Sequence, residues 1–294
     1  MNTTPANTPA LYAVVGNPVA HSRSPAIHQA FAAQTQQTLS YERVLSPLEG
    51  LRETLQALAA RGAHGCNITV PFKFEAQALA ARLTPRAAQA AAVNTLRFDA
   101  QGWLGDNTDG AGLVADIQVH AQTPLRGRRV LLLGAGGAAA GVLGALLQEG
   151  PSALRVLNRN PAKAEALVHS HQALAAEHGV ALSAGALDQA QGRYEVLINA
   201  TSASLDQGTA PLPAHLPPVL EPGALALDMM YGPAALPFLQ WAREQVGPQG
   251  QVRDGLGMLV EQAAEAFALW RGVRPDTAPV LAALRQQVDQ AAEA

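Results

Sequence analysis

One short stretch has the residue types and spacing of a nucleotide cradle. Val130-Leu-Leu-Leu133 leads into Gly134-Ala-Gly136-Gly137-Ala138-Ala139, a G-x-G-x-x-A pattern between an apolar run and an Ala-rich segment. In such a turn the first glycine permits the tight bend, the second lets backbone approach a pyrophosphate, and the small third position lets helix and strand pack closely. The N-terminus of the following helix then faces the phosphates. Chance matches are common in a chain rich in Ala and Gly, so the strand-turn-helix context carries the reading. Gly134, Gly136, Gly137 and Ala138 are the candidate cradle. The next apolar run, Leu154–Leu157, ends in Asn158-Arg159-Asn160-Pro161-Ala-Lys163. An NAD site usually places an acid here for the ribose 2′-hydroxyl. An Arg with a Lys four residues on suits a dianionic 2′-phosphate instead, so NADP is expected over NAD.

A second group of polar residues lies in the first half of the chain. In Asn67-Ile-Thr69-Val-Pro71-Phe-Lys73, a strand reading puts Asn67 and Thr69 on one face. Buried parallel strands are normally apolar on both faces, so two polar side chains near a strand end point to a ligand crevice. Pro71 suits the first position of a helix, which would put Lys73 in its first turn, a location for a lysine acid or base. Gly105-Asp-Asn107-Thr-Asp109-Gly110 looks like a calcium loop, but aligning Gly110 with the required turn glycine puts Gly105 at the first ligand position. Asp109 can instead cap the next helix, whose dipole would hold its carboxylate ionised. In His21-Ser22-Arg23-Ser24-Pro25, Ser24 can be an ordinary cap with Pro25 at the first helical position. Ser22 has no such role, and two hydroxyls beside free backbone N–H groups also make a carboxylate site.

The elements needed to hold these groups are legible. Strands are expected at Leu11–Val15, Tyr41–Leu45, Cys66–Val70, Val130–Leu133, Leu154–Leu157, Val196–Asn199 and Ala224–Asp228, with a strand-like Gln251–Arg253. Helices are expected at Pro25–Ala33, Leu48–Ala60, Ala138–Gln148, Lys163–His178, Pro237–Gln245, Leu256–Arg271 and Asp276–Ala292. This alternation predicts an α/β chain with mainly parallel sheets. Its 294 residues suit about two domains. A fresh strand-helix series opens near Val130, and two helices without an intervening strand close the chain. The expected division is therefore 1–109 plus 255–294, a substrate domain, and 110–254, a Rossmann-like NADP domain. Pro211, Pro213, Pro217, Pro218 and Pro222 mark an irregular loop in the second. In Leu256–Arg271, the residues Leu256, Leu259, Ala263, Ala266, Phe267 and Trp270 form one stripe at helical spacing, with Gln262 at its edge.

Composition narrows the classes. Lys and Arg number 20 against 23 Asp and Glu, a net charge of −3, so no nucleic-acid partner is expected. The single cysteine, Cys66, excludes an intrachain disulfide and a Cys-based zinc cluster. It fits a reducing compartment, and a cytoplasmic location is expected. Residues 1–10 lack a basic and an apolar region and read as a frayed tail rather than a signal peptide. Val130–Leu147 runs 18 residues without a charge and contains Gly137-x-x-x-Gly141, long enough to span a bilayer on length alone. The glycine turn splits it, and no membrane segment is expected. His169 and His171 diverge at i, i+2 on a helix, so no metal site is expected.

Taken in order, these segments resemble the shikimate dehydrogenase family. The match runs through VVGNPVAHSRSPAIH from Val14, NITVPFK from Asn67, AVNT at Ala92–Thr95, GDNTDGAG from Gly105 and GAGGAA from Gly134. It continues with NRN from Asn158, NATS at Asn199–Ser202, DMMY at Asp228–Tyr231 and DGLGMLVEQAAEAFALWRG from Asp254. The resemblance implies NADPH-dependent, reversible reduction of 3-dehydroshikimate to shikimate, on the route to aromatic amino acids. It further implies that Ser22 and Ser24 hold the substrate carboxylate, that Lys73 and Asp109 are the catalytic pair, and that Thr69, Asn94 and Gln262 bind ring hydroxyls. Tyr231 would lie near the substrate, Met229 and Gly255 would line the nicotinamide, and Asn158, Arg159 and Lys163 would clamp the 2′-phosphate. The family usually has Thr where Asn160 stands and Arg where Lys163 stands, which keeps the charge but loses one fork. Rival readings are a quinate-using, NAD-preferring relative and a non-catalytic nucleotide binder. The sequence is compatible with a homodimer and does not decide the oligomeric state.

Overall fold

The computed structural model describes residues 9–201, 216–217 and 219–293. The tail through residue 8, Ser202, Pro211, Pro213 and Pro218 lie outside the described residues. The chain divides into two compact units, Met1–Thr108 with Gln262–Val280, and Asp109–Glu261 with Leu281–Ala294.

In the first unit, β1 (Ala10–Gly16), β2 (Leu39–Leu45) and β3 (Ala63–Ile68) are parallel, in the order β2-β1-β3. The connections carry α1 (Ser24–Gln34) and α2 (Leu51–Ala60). Leu51, Leu55 and Leu58, on one face of α2 by helical spacing, pack in one core with Ala13, Val15, Cys66 and Ile68. The opposite face of β1 carries Tyr12, stacked at 4.6 Å on Trp270 of α9 (Leu256–Arg271). The indole N–H of Trp270 donates to the Leu96 carbonyl at 3.0 Å.

The rest of this sheet was not expected. β5 (Thr95–Asp99) and β6 (Gly102–Asp106) form an antiparallel hairpin, and the short β4 (Arg82–Leu83) closes the order β2-β1-β3-β5-β6-β4. Because β5 runs against β3, Asn67 pairs with Thr95, and Thr95 with Asp106. The start of β5 and the end of β6 thus lie beside the C-terminal end of β3. Two short helices, α3 (Lys73–Leu79) and α4 (Pro85–Ala90), complete the unit.

The second unit holds β7 (Arg129–Leu133), β8 (Ala153–Asn158), β9 (Ala181–Ala186), β10 (Tyr194–Asn199), β11 (Leu220–Asp228) and β12 (Gln251–Arg253). All pair in parallel, in the order β12-β11-β10-β7-β8-β9. That is the doubly wound order, with its crevice where strand order reverses, between β7 and β10. Helices α6 (Gly137–Gln148), α7 (Pro161–Glu177) and α8 (Leu236–Val246) connect the strands. Ahead of them α5 (Asp109–Ala115) runs into a π-turn, Asp116–His120. The chain ends in α10 (Ala278–Glu293). Strand β9 went unread because Ala181-Leu-Ser-Ala-Gly-Ala186 is poor in β-branched residues.

The apolar stretch Val130–Leu147 is a strand and a helix separated by a turn. Val130–Leu133 have no exposure, as a parallel strand covered on both faces requires. Among the described residues no helix is long and apolar enough to cross a membrane.

Candidate active site

The hydroxyl pair comes first in the chain. Helix α1 starts at Ser24 itself, with Arg23 at the cap position and no side-chain cap. Ser24 is therefore one residue inside the helix and is not the cap its sequence context allowed. Its hydroxyl accepts from Ser22 Oγ at 3.1 Å, and its backbone N–H donates to the same Ser22 Oγ at 3.3 Å. The pair is drawn together on one side of the turn. Arg43 of β2 holds that turn through two bonds, Nε at 2.9 Å and Nη2 at 2.7 Å, to the Ser22 carbonyl. Arg43 was not read from the sequence, since an exposed basic residue in a strand carries no signal.

Strand β3 ends at Ile68, two residues short of expectation, and Thr69 lies beyond it, half-buried. The Thr69 N–H donates to the Val15 carbonyl at 2.9 Å. Asn67 is buried and faces inward. Its Oδ1 accepts from the Tyr41 hydroxyl at 2.6 Å, and its Nδ2 donates to Thr95 Oγ1 at 3.0 Å. Thr95 Oγ1 in turn donates to Asn94 Oδ1 at 2.9 Å. The Thr108 N–H donates to that same oxygen at 2.9 Å, while Asn94 Nδ2 donates to Thr108 Oγ1 at 2.9 Å. A backbone donor on Oδ1 settles which way the Asn94 amide points. Gln262, at the edge of the α9 stripe and 8% exposed, completes the group, its Oε1 at 3.4 Å from both Asn94 Nδ2 and Thr108 Oγ1. Asn67 is thus spent on internal bonds, to Tyr41 and Thr95, and holds up the group that includes Asn94. Tyr41, Thr95 and Thr108 were missed because a single Tyr or Thr in a strand or loop has no pattern.

Lys73 opens α3 and is half-buried. The helix begins at Lys73 rather than at Pro71, which sits in the preceding turn. The Lys73 carbonyl accepts from the Val93 N–H at 2.9 Å, tying the start of α3 to the residue before Asn94. The strand end that precedes the acidic loop is pinned by an ion pair. Asp106, 1% exposed, accepts from Arg86 Nε at 2.7 Å and Nη2 at 2.5 Å, from Thr84 Oγ1 at 2.6 Å and from the Asn107 N–H at 2.8 Å. Burial pushes its carboxyl up, but Arg86, Thr84 and Asn107 together outweigh that and hold it below its ordinary value. The Asp106 carbonyl accepts from the Asn94 N–H at 3.0 Å.

In the second unit, Asp109 is the first residue of α5 and 5% exposed. It is inside the helix start rather than at the cap, where the dipole still favours an anion. Gly110 packs α5 onto α6: a Cβ there would stand 2.7 Å from Ala145 Cβ.

The glycine turn has the conformation its pattern implied. Gly134 has φ +105°, and a Cβ on it would meet the Ala200 carbonyl oxygen at 3.0 Å. A Cβ on Gly136 would meet nothing within 4 Å, and Gly136 caps α6 without a side-chain bond. Open space over uncapped helical N–H groups fits a pyrophosphate. Gly137 and Ala138 form the first turn of α6, both half-buried. At the end of β8, Asn158 Nδ2 donates to the Asn160 carbonyl at 2.9 Å, and Asn160 Oδ1 accepts from the Ala162 N–H at 3.1 Å. Asn160 is thus the cap of α7, a task a Thr can also perform. Arg159 and Lys163 are exposed on either side of that cap. These residues fit a nucleotide bearing a 2′-phosphate.

Met229 and Tyr231, both half-buried, follow β11. Gly255 lies against them, its N–H donating to the Met230 carbonyl at 2.8 Å, and a Cβ there would fall 2.3 Å from the Met229 oxygen. His171 is buried and His169 exposed, so the two rings diverge.

The chain is similar to known proteins along most of its length. The family description "Shikimate dehydrogenase substrate binding domain" matches residues 14–96, "Shikimate / quinate 5-dehydrogenase" matches 117–206, and "Shikimate 5'-dehydrogenase C-terminal domain" matches 255–285. A shikimate dehydrogenase (NADP(+)) of Methylibium petroleiphilum is 60% identical over 286 residues, 95% of each chain. Among solved structures, an Ael1 enzyme from Pseudomonas putida is 44% identical with a TM-score of 0.81, covering 94% of this chain and 98% of its own. The Thermus thermophilus shikimate 5-dehydrogenase, solved with NADP(H) and shikimate, is 34% identical with a TM-score of 0.78 over 94% of this chain and 99% of its own. With that identity across nearly its whole length, the chain belongs to the shikimate dehydrogenase family.

Proposed function

We propose that this protein catalyses the reversible, NADPH-dependent reduction of 3-dehydroshikimate to shikimate. It is an NADP-dependent oxidoreductase acting on a secondary alcohol. The observation that carries the reading is the buried group Asn94, Thr108 and Gln262 in the unit that also bears the Ser22/Ser24 pair and Lys73. A carboxylate needs neutral donors at one end, and ring hydroxyls need paired donors and acceptors at the other. The proposed functional division is 1–109 with 255–294 for substrate and 110–254 for cofactor.

Ser22 and Ser24 would bind the substrate carboxylate, and Thr69, Asn94, Gln262 and Tyr231 its hydroxyl groups. Gly134, Gly136, Gly137 and Ala138 would cradle the pyrophosphate, Asn158, Arg159 and Lys163 the 2′-phosphate, and Met229 and Gly255 the nicotinamide. When bound, the reduced cofactor supplies the hydride. Lys73 and Asp109 handle the charge at the ring oxygen. In reduction, Lys73 Nζ gives a proton to that oxygen, and in oxidation it takes it back. Asp109 keeps the lysine oriented and its charge balanced. The pairing rests on the resemblance, through the segments NITVPFK and GDNTDGAG that carry the two residues. The protein is proposed to act in the cytoplasm, where the NADPH of biosynthesis is found, and as a homodimer.

The test follows the absorbance band of the reduced cofactor. Shikimate with NADP should give a kcat/KM at least ~10-fold above quinate with NAD, the margin expected from charge-assisted bonds to a 2′-phosphate. A faster quinate/NAD reaction would reassign the substrate. NADP binding without turnover would leave a nucleotide binder.

A further inference from the structure

We infer that Asp228 is a positioning residue for the cofactor, latching together the three loops proposed to bear on the nicotinamide and pyrophosphate. The inference rests on the NADP reading above. Asp228 ends β11 and Asn199 ends β10, and the two are register partners at the C-terminal edge of the sheet. Asn199 Oδ1 is occupied by the Thr201 N–H at 3.2 Å and the Thr201 hydroxyl at 2.7 Å. Its amide nitrogen must therefore face the other way, and it donates to Asp228 Oδ2 at 2.9 Å. The second carboxylate oxygen accepts from the Met230 N–H at 2.8 Å. One buried carboxylate, 1% exposed, thus joins the turn after β10 to the turn after β11.

Each turn leads to a cofactor residue. Ala200, between Asn199 and Thr201, presents the carbonyl against which Gly134 turns. The Met229 N–H donates to the Asn199 carbonyl at 2.9 Å, and the Met230 carbonyl holds Gly255. Gly255 has no room for a side chain over Met229. A shift of the β11 turn therefore carries Met229 and Gly255 with it, while Asp228 itself is held among protein groups.

The carboxyl also titrates in a useful range. Burial pushes it up to about 7, against the pull of the Met230 N–H and the Asn199 amide, and with Asp254 adding repulsion. Asp254 comes from the loop after β12. It accepts from the Gly232 N–H at 3.4 Å and the Leu256 N–H at 3.3 Å, and Arg285 of α10 neutralises it, Nη1 to Oδ2 at 2.8 Å. Protonated Asp228 turns one acceptor into a donor, which faces an N–H and opens half of the latch. An acid whose folded value is raised binds its proton more tightly when folded, so its ionisation lowers stability as pH rises through the window from about 4 to 7. Removing the charge should therefore not destabilise the fold at pH 8, which separates a positioning role from a merely structural one.

The experiment measures KM for NADP, KM for shikimate and kcat from pH 6 to 8.5 in the wild type and Asp228→Asn. The wild type must first turn over shikimate with NADP; if it does not, the functional reading fails and this inference with it. If it does, Asp228→Asn should raise KM for NADP about tenfold at pH 8, the scale of one charge-assisted hydrogen bond. KM for shikimate should stay within about twofold, and Tm at pH 8 should not fall. The ratio of the two NADP KM values cancels titration of the cofactor's own phosphate, and it should shrink toward pH 6. An unchanged NADP KM, or a ratio independent of pH, overturns the inference. Should Asp228→Asn fail to fold, Asn199→Ala removes the other side of the latch. It should give the same selective rise, and a folded Asn199→Ala with normal NADP KM overturns the inference equally.

Discussion

Replacing Arg86 with Ala probes how firmly the acidic loop is held. Asp106 is 1% exposed and loses the guanidinium that faces it, keeping the Thr84 hydroxyl at 2.6 Å and the Asn107 N–H at 2.8 Å. Breaking a buried pair from one side typically costs about 3–5 kcal/mol. The Arg86 side chain is 38% exposed, and two donors remain on the carboxylate, so solvent screening reduces the expected loss to about 2–3 kcal/mol. At roughly 2–4 °C per kcal/mol, Tm should fall by about 5–10 °C at pH 8. The pH dependence is more specific. In the wild type the carboxyl is held below its ordinary value, so its contribution is present above the unfolded value and is lost as pH falls through the folded one. Without Arg86, burial dominates and the carboxyl shifts up; it then costs stability at neutral pH, and that cost fades on acidification. The gap between wild type and variant should be widest at pH 7–8 and narrow toward about pH 4–5, where the variant's carboxyl is protonated. Adding Asp106→Asn should recover at least half of the loss. Thermal denaturation at pH 8, 6 and 4.5 measures all three. Equal gaps at pH 4.5 and 8, together with no recovery in the double variant, would falsify the account of Asp106 as a buried charge held by Arg86.

Other consequences concern the reaction. Lys73→Ala should lower kcat about 10²–10⁴-fold with KM for shikimate nearly unchanged, by steady-state kinetics; near-normal kcat removes Lys73 from the chemistry. Arg159→Ala should lower kcat/KM with NADP about 10-fold or more while changing the NAD reaction less than about threefold. Equal losses with both cofactors would place Arg159 away from the 2′-phosphate. Gly134→Ala forces a side chain into φ +105° against the Ala200 carbonyl, a strain of about 1–3 kcal/mol. Thermal melts should show a Tm lower by several degrees, and kinetics a raised NADP KM with shikimate KM unaffected; a wild-type Tm would mean the turn relaxes freely.

The glycine turn and the strand-helix alternation were legible in the linear chain because local rules govern them. A parallel strand buried on both faces must be a continuous apolar run, as Val130–Leu133 is, and a turn at positive φ selects glycine, as at Gly134. Lys73 at a helix start and the exposed Arg159 and Lys163 likewise followed from their neighbours in sequence. What required the tertiary structure was everything joined across long separations. Pairing of Asn67 with Thr95 and Thr95 with Asp106 comes from an antiparallel hairpin whose register no local pattern predicts, and β9 forms from Ala, Ser and Gly because its neighbour β8 offers backbone partners. Only that register brings Tyr41, Asn67, Thr95, Asn94, Thr108 and Gln262 into one chain of hydrogen bonds, and only the adjacency of β10 and β11 joins Asn199 to Asp228. A buried polar group costs free energy until it is paired, and its partner can come from anywhere along the chain, so the sequence can nominate such residues but the fold decides which of them meet.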